Sequence, residues 1–200
     1  MMITLADVRK TAANCLTWPL VRLLAKTRLT PNTITIIGFL LSVGAAVLVA
    51  FGYLFAAGWV VLVAGLCDML DGALARLTNR VTRFGAVLDS TLDRLAEAAI
   101  LLGLLVVFAR EQMVMGSLLV GLALITSFTV SYLRSRAEAL GLDGSVGVFT
   151  RAERVIVLAL GLLLSRFDYA IIIALSVITL LSIVTAGQRL FHVWRSTKVK

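Results

Sequence analysis

One histidine and two cysteines are all that this 200-residue chain carries of either type. Their scarcity closes off whole chemistries. His192 sits in a basic tail, so neither a zinc site nor an imidazole general base can be built around it. Cys15 and Cys67 supply no disulfide framework, and Cys67 lies in an apolar run as a small packed residue. Charge is scarce as well: 15% of residues are charged and 60% hydrophobic, with a mean hydropathy of +1.01. That composition excludes a soluble domain and points to an integral membrane protein. No low-complexity segment and no obvious internal repeat interrupts it. The net charge of +8 lies beside hydrophobic spans, where it sets topology and attracts anionic lipid; nucleic acid is not the expected partner.

What is present sorts along the chain. Residues 1–28 intersperse Arg9, Lys10, Arg22, Lys26 and Arg28 with Leu5, Val8, Leu16, Trp18, Leu20 and Leu23, and hold no uncharged run long enough to span. Pro19 in the apolar part argues against a signal peptide. Residues 1–30 read as an amphipathic helix in the interface, anchored by Trp18. Thr30 and Pro31 suit a helix cap and first turn. From Thr33 to Cys67 no residue is charged, a run too long for one span; Gly52, Tyr53 and Gly58 mark the break. Spans are expected near residues 33–53, 56–77, 83–109 and 150–165, with a fourth span that includes the uncharged run 112–133 and a sixth that includes 169–188. The expected fold is thus all-α and membrane-integral, with an interfacial helix followed by six transmembrane helices in one catalytic domain, residues 31–200. Of the nineteen lysines and arginines, only Arg110 and Arg166 fall in loops opposite the termini. The positive-inside rule then places both termini in the cytoplasm of a multi-pass protein of the cell membrane.

Against this apolar background, residues 65–97 hold Asp68, Asp71, Asp89 and Asp93 together with Arg76, Arg80, Arg83 and Arg94. Spacings of three and four put each aspartate pair on one helix face. The polar LTNRVTRF between them reads as a turn, so the two helices fold back and the carboxylates converge. Counting the rise per residue from the far ends of the two helices puts both pairs at roughly 20–30 Å, near the edge of the hydrocarbon where a lipid headgroup sits. A carboxylate cluster there needs neutralising, and divalent cations with oxygen ligands do so directly. An ion-pair network with Arg76, Arg83 and Arg94 is the plainer reading. Gly72 and Gly85 each remove a side chain one turn from a carboxylate, which suits close approach of a ligand or tight packing of helices.

The pattern Asp68-x2-Asp71-Gly72-x2-Ala75-Arg76-x8-Gly85-x3-Asp89-x3-Asp93 resembles the signature of the CDP-alcohol phosphatidyltransferase family. The resemblance extends to Pro31-Asn32-x2-Thr35 and to arginines after the fourth span. It implies transfer of the phosphatidyl group of CDP-diacylglycerol to an alcohol, with release of CMP. By the resemblance, Asp68, Asp71, Asp89 and Asp93 hold two divalent ions, Mg²⁺ or Mn²⁺, and Asp93 also deprotonates the acceptor. Asn32, Thr33, Ile34, Thr35, Gly72, Arg76 and Thr82 fall where the family holds the CDP-lipid. Glu97 continues the stripe one turn further and is expected to partner an arginine. A homodimer is implied by the family alone.

A second set of cations is left over. Arg134, Arg136, Arg151, Arg154 and Arg189 exceed what a metal-held diphosphate needs, and a guanidinium fork suits a phosphate. They are expected to bind a phosphorylated polyol acceptor near the carboxylates, with snorkelling of interfacial arginines as the bland alternative. Within the family, Ser131–Glu138, Arg151-Ala152-Glu153-Arg154 and Gln188-Arg189-Leu190 most resemble the bacterial phosphatidylinositol phosphate synthases, which implies inositol 1-phosphate as acceptor. Arg134 stands where a lysine is expected there, and Ala152 where a proline is. The alternative is a phosphatidylglycerophosphate synthase using glycerol 3-phosphate. A cation transporter is the competing class, but its acids would be spread along a path through the bilayer.

Overall fold

Helices follow the apolar runs. The structure, a computed structural model, describes residues 18, 20–27, 29–144 and 146–198. The expected amphipathic helix of residues 1–30 lies mostly outside the described residues; within them, residues 20–25 are helical. Six longer helices follow: α1 (Pro31–Ala50), α2 (Leu54–Leu77), α3 (Arg83–Arg110), α4 (Val114–Ala139), α5 (Arg151–Leu163) and α6 (Ala170–Lys198). Among the described residues there is no strand. Four of the helices, α1, α2, α4 and α6, are long and apolar enough to cross a membrane. They mark a membrane protein, and the large apolar side chains on their surfaces, such as Leu40, Trp59, Leu118 and Leu180, suit lipid contact. The 13 residues of α5 reach roughly 20 Å, short of a bilayer's hydrocarbon. Helix α3 carries Asp89, Asp93, Arg94 and Glu97 before its apolar C-terminal part.

Helix ends follow local chemistry. The hydroxyl of Thr30 accepts the N–H of Thr33 at 3.3 Å, which caps α1 with Pro31 in its first turn. After Ala50 the chain reverses through Gly52 at φ +85°, a backbone region that costs a side chain strain. Gly58, expected to share in that break, lies inside α2 instead. A Cβ there would come within 2.8 Å of Leu163, so this glycine serves packing rather than a turn. The basic tail from Arg189 is helical as well, extending α6 to Lys198.

The chain divides into two compact units, one of residues up to Leu41 with Val63–Ala96, the other of Ser42–Leu62 with the residues from Glu97 onward. In the first, Val21, Ile34, Leu70 and Leu74 form a small buried cluster. Gly38 of α1 brings the same helices together: a Cβ there would meet the Cβ of Cys67 at 3.2 Å.

The second unit holds the larger core. Ala45, Val49, Ala57, Leu104, Ala123, Leu162 and Leu175 are all wholly buried in it. Small residues let its helices approach, as in many membrane bundles: a Cβ on Gly103 would meet the carbonyl oxygen of Ala46 at 2.6 Å, and one on Gly161 the Cβ of Ala174 at 2.6 Å. Helix α6 packs against α4 and α5 and also holds the loop between them. The Thr185 hydroxyl accepts the N–H of Phe149 at 3.2 Å, and Arg189 donates to the carbonyl of Val146 at 2.8 Å. Glu153 accepts the N–H of Thr150 at 2.7 Å, one half of a capping box that starts α5.

Candidate active site

The acidic pattern meets in space as its spacing predicts, in part. Asp68 and Asp71 come from α2 and Asp89 from α3, and one carboxylate oxygen of each lies within 4.8 Å of the others. Asp93, one turn beyond Asp89, does not belong to that group. Burial sharpens the problem. Asp71 is only 4% exposed, and a charge held largely out of water needs compensation. Part of it is visible: the Thr35 hydroxyl donates to Asp71 Oδ2 at 2.6 Å. Three carboxylates at this separation are an oxygen-only donor set of the kind a hard divalent cation takes, so the residues present fit such an ion.

Beside the aspartates lies a cavity of about 330 Å³. Asp71 and Asp89 line it, and so do five of the seven residues expected to hold the CDP-lipid: Asn32, Thr35, Gly72, Arg76 and Thr82. The other two face elsewhere. Ile34 is in the small apolar cluster, and the Thr33 hydroxyl sits 2.8 Å from that of Thr30. The glycines of the motif are explained here. A Cβ on Gly85 would lie 2.9 Å from the Thr82 hydroxyl and 3.1 Å from Asn32 Oδ1. The Thr82 hydroxyl accepts the Gly85 N–H at 2.9 Å, which starts α3 at the cavity wall. Next to Gly72 stands the guanidinium of Arg76, 3.4 Å from where a Cβ would be. Arg80 also lines the cavity. Sequence reasoning passed over it as part of a polar turn, although it lies four residues after Arg76 in the acidic stretch and carries the same charge.

The other predicted cations fall in the second unit and divide by exposure. Arg134 pairs with Glu138 at 2.8 Å on an exposed face, and Arg136 is exposed. Arg151 is half-buried. Arg154 is 1% exposed and grips Glu97 with two bonds, Nε to Oε1 at 2.7 Å and Nη2 to Oε2 at 2.9 Å. Glu97 thus takes the arginine partner expected of it. Arg189 is 4% exposed and donates to the carbonyls of Val146 and Val130.

A helical membrane chain with this acidic motif beside a cavity defines a class, and comparison with known proteins gives it a name. The family model of CDP-alcohol phosphatidyltransferases matches residues 28–188. The chain belongs to that family and is a transferase. Among its relatives, phosphatidylinositol phosphate synthase of Mycobacterium marinum is 43% identical over 185 residues, covering 89% of this chain and 79% of that protein. Archaetidylinositol phosphate synthase of Methanothermobacter thermautotrophicus is 38% identical over 167 residues, covering 82% and 83%. The crystal structure of phosphatidylinositol phosphate synthase of Mycobacterium tuberculosis with CDP-DAG bound is similar at a TM-score of 0.81 and 39% identity, covering 89% of this chain and 93% of that one. A crystal structure of the same enzyme in complex with manganese and citrate has a TM-score of 0.78, also at 39% identity, covering 89% and 88%.

Proposed function

We propose that this protein transfers the phosphatidyl group of CDP-diacylglycerol to a phosphorylated polyol, inositol 1-phosphate, and releases CMP. The observation that carries the reading is the three-carboxylate group of Asp68, Asp71 and Asp89 next to a cavity walled by Asn32, Arg76 and Thr82, in a chain 39% identical to an enzyme solved with CDP-DAG bound. Two divalent ions, Mg²⁺ or Mn²⁺, supply charge at the non-bridging oxygens of the diphosphate when bound. Asp68, Asp71, Asp89 and Asp93 hold them. Asn32, Gly72, Arg76 and Thr82 orient the donor, Arg76 with its positive charge and Gly72 by leaving space. Asp93 takes the proton from the acceptor hydroxyl. The hydroxyl oxygen forms the new bond to the phosphatidyl phosphorus, and the bond from that phosphorus to CMP breaks with its electron pair on CMP.

For the acceptor's phosphate the reading assigns Arg134, Arg136, Arg151, Arg154 and Arg189. Its support is a guanidinium nitrogen with nothing to do: Arg154 Nη1 is buried and has no hydrogen-bond partner, whereas buried donors ordinarily have one. An anion supplies it. The readings of topology go with this function: α3 and α5 complete six spans behind a juxtamembrane helix of residues 1–30, residues 31–200 form the catalytic domain, and both termini and the active site face the cytoplasm. The arginine and lysine distribution supports that orientation, and the family resemblance supports a homodimer.

The test is release of CMP from CDP-diacylglycerol by purified protein. Inositol 1-phosphate, free inositol and glycerol 3-phosphate are compared, with and without chelator. Chelation should abolish release, and Mn²⁺ or Mg²⁺ should restore it. Preference for free inositol would overturn the arginine argument. Preference for glycerol 3-phosphate would make the protein a phosphatidylglycerophosphate synthase with the same metal chemistry.

A further inference from the structure

Thr35 entered as a contact for the donor lipid, but its hydroxyl is already committed. It has one proton to give, and two acceptors stand in range. One is the carbonyl of Pro31, four residues back, at 3.2 Å. The other is Asp71 Oδ2 at 2.6 Å. The shorter contact has the length of a hydroxyl–carboxylate bond, about twice as strong as a neutral one, and takes the proton. Thr35 is 8% and Asp71 4% exposed, so both are largely shielded at the cavity wall. We propose that Thr35 is a positioning residue for a metal ligand: its hydroxyl fixes the carboxylate plane of Asp71 by occupying Oδ2 and so presents Oδ1 to the cation. The inference rests on reading Asp68, Asp71 and Asp89 as metal ligands.

The backbone is arranged for this bond. One turn along α1 from Thr35 stands Gly38, and one turn back along α2 from Asp71 stands Cys67. A Cβ on Gly38 would lie 3.2 Å from the Cys67 Cβ and 3.5 Å from the Ala64 carbonyl oxygen. The glycine lets the two helices approach closely enough for a threonine, with its short side chain, to reach across. Partners that orient metal ligands in this way change metal affinity by about 10- to 100-fold when removed.

The experiment uses the full-length protein in detergent and reads Mn²⁺ binding directly by electron paramagnetic resonance titration, with donor binding measured at saturating Mn²⁺. Thr35→Val and the smaller Thr35→Ala should each weaken Mn²⁺ binding by about 10- to 100-fold, while Thr35→Ser, which keeps the hydroxyl, should stay close to the parent. Donor affinity at saturating Mn²⁺ should hold in all three. Unchanged Mn²⁺ binding in Thr35→Val and Thr35→Ala would overturn the proposal. So would a loss confined to donor affinity, which would return Thr35 to the donor's contacts. Asp68→Asn is the separate control: if it binds Mn²⁺ like the parent, the metal-ligand reading itself has failed, whatever Thr35 does.

Discussion

Asp89 and Glu97 stand two turns apart on one helix and meet opposite fates. Asp89 is grouped with two further carboxylates within 4.8 Å. Glu97 is buried at 6% exposure against the guanidinium of Arg154, with two short bonds. The stripe Asp89, Asp93, Glu97 has one spacing and one sign of charge throughout. The difference lies in what the neighbouring helices offer. Opposite Glu97, α5 supplies an arginine, and the carboxylate becomes part of the fold. Opposite Asp89, α2 supplies two more carboxylates, an arrangement that gains little for the fold and suits a cation from outside. A buried acid can therefore be structural or functional within a few residues, and its partner decides which.

The largest effect expected from this contrast is on turnover. Asp68→Asn or Asp89→Asn should lower kcat/KM for CMP release by about a thousandfold or more, the several kcal/mol of charge stabilisation that a bound metal supplies at tenfold per 1.36 kcal/mol. The metal-free variants should be no less stable than the parent, because like charges have been relieved. Thermal unfolding of both in detergent checks it, and a clear loss of stability would erase the distinction between the two regions.

Glu97 should behave the other way. Glu97→Ala leaves a buried guanidinium without its partner and should cost about 3–5 kcal/mol of stability. Glu97→Leu combined with Arg154→Met should recover most of it, since replacing both members of a buried pair by apolar residues is often near neutral. Chemical denaturation of the single and double variants reads the result. If the double variant is as unstable as the single, Arg154 has a structural partner besides Glu97.

A third, smaller effect separates Arg151 from the pair beside it. Arg151→Ala should raise KM for inositol 1-phosphate by about 10- to 100-fold, the worth of one or two hydrogen bonds to a charged group. KM for CDP-diacylglycerol should change little. Arg151→Lys should recover part of the loss, because lysine keeps the charge and lacks the fork. Steady-state kinetics with each substrate varied in turn is the check. The smallest effect belongs to Gly38→Ala. Its added methyl must push Cys67 away by a few tenths of an ångström from 3.2 Å, lengthening the Thr35–Asp71 bond. Mn²⁺ affinity should fall, by less than in Thr35→Val, in the same titration.

Much of this was written in the order of residues. Long uncharged runs placed the helix starts to within two positions, because in a membrane chain a charge or turn residue is costly enough to mark a boundary, whereas α4 and α6 run on past their uncharged runs to Ala139 and Lys198. Asp68, Asp71 and Asp89 were legible because helical spacing and a polar turn leave them one way to meet. The same holds for Glu97, which sits too deep to stand without a cation. What the sequence left open was the choice of partners between helices distant in the chain. Nothing local says that Arg154 goes to Glu97 and Arg189 to two backbone carbonyls, since arginines in that stretch look alike until packing has buried some of them. Nor does the row Pro31-Asn32-Thr33-Ile34-Thr35 say that the last hydroxyl turns to Asp71. That bond depends on how closely two helices approach at Gly38, and a distance between helices is a property of their packed side chains, which only the tertiary structure decides.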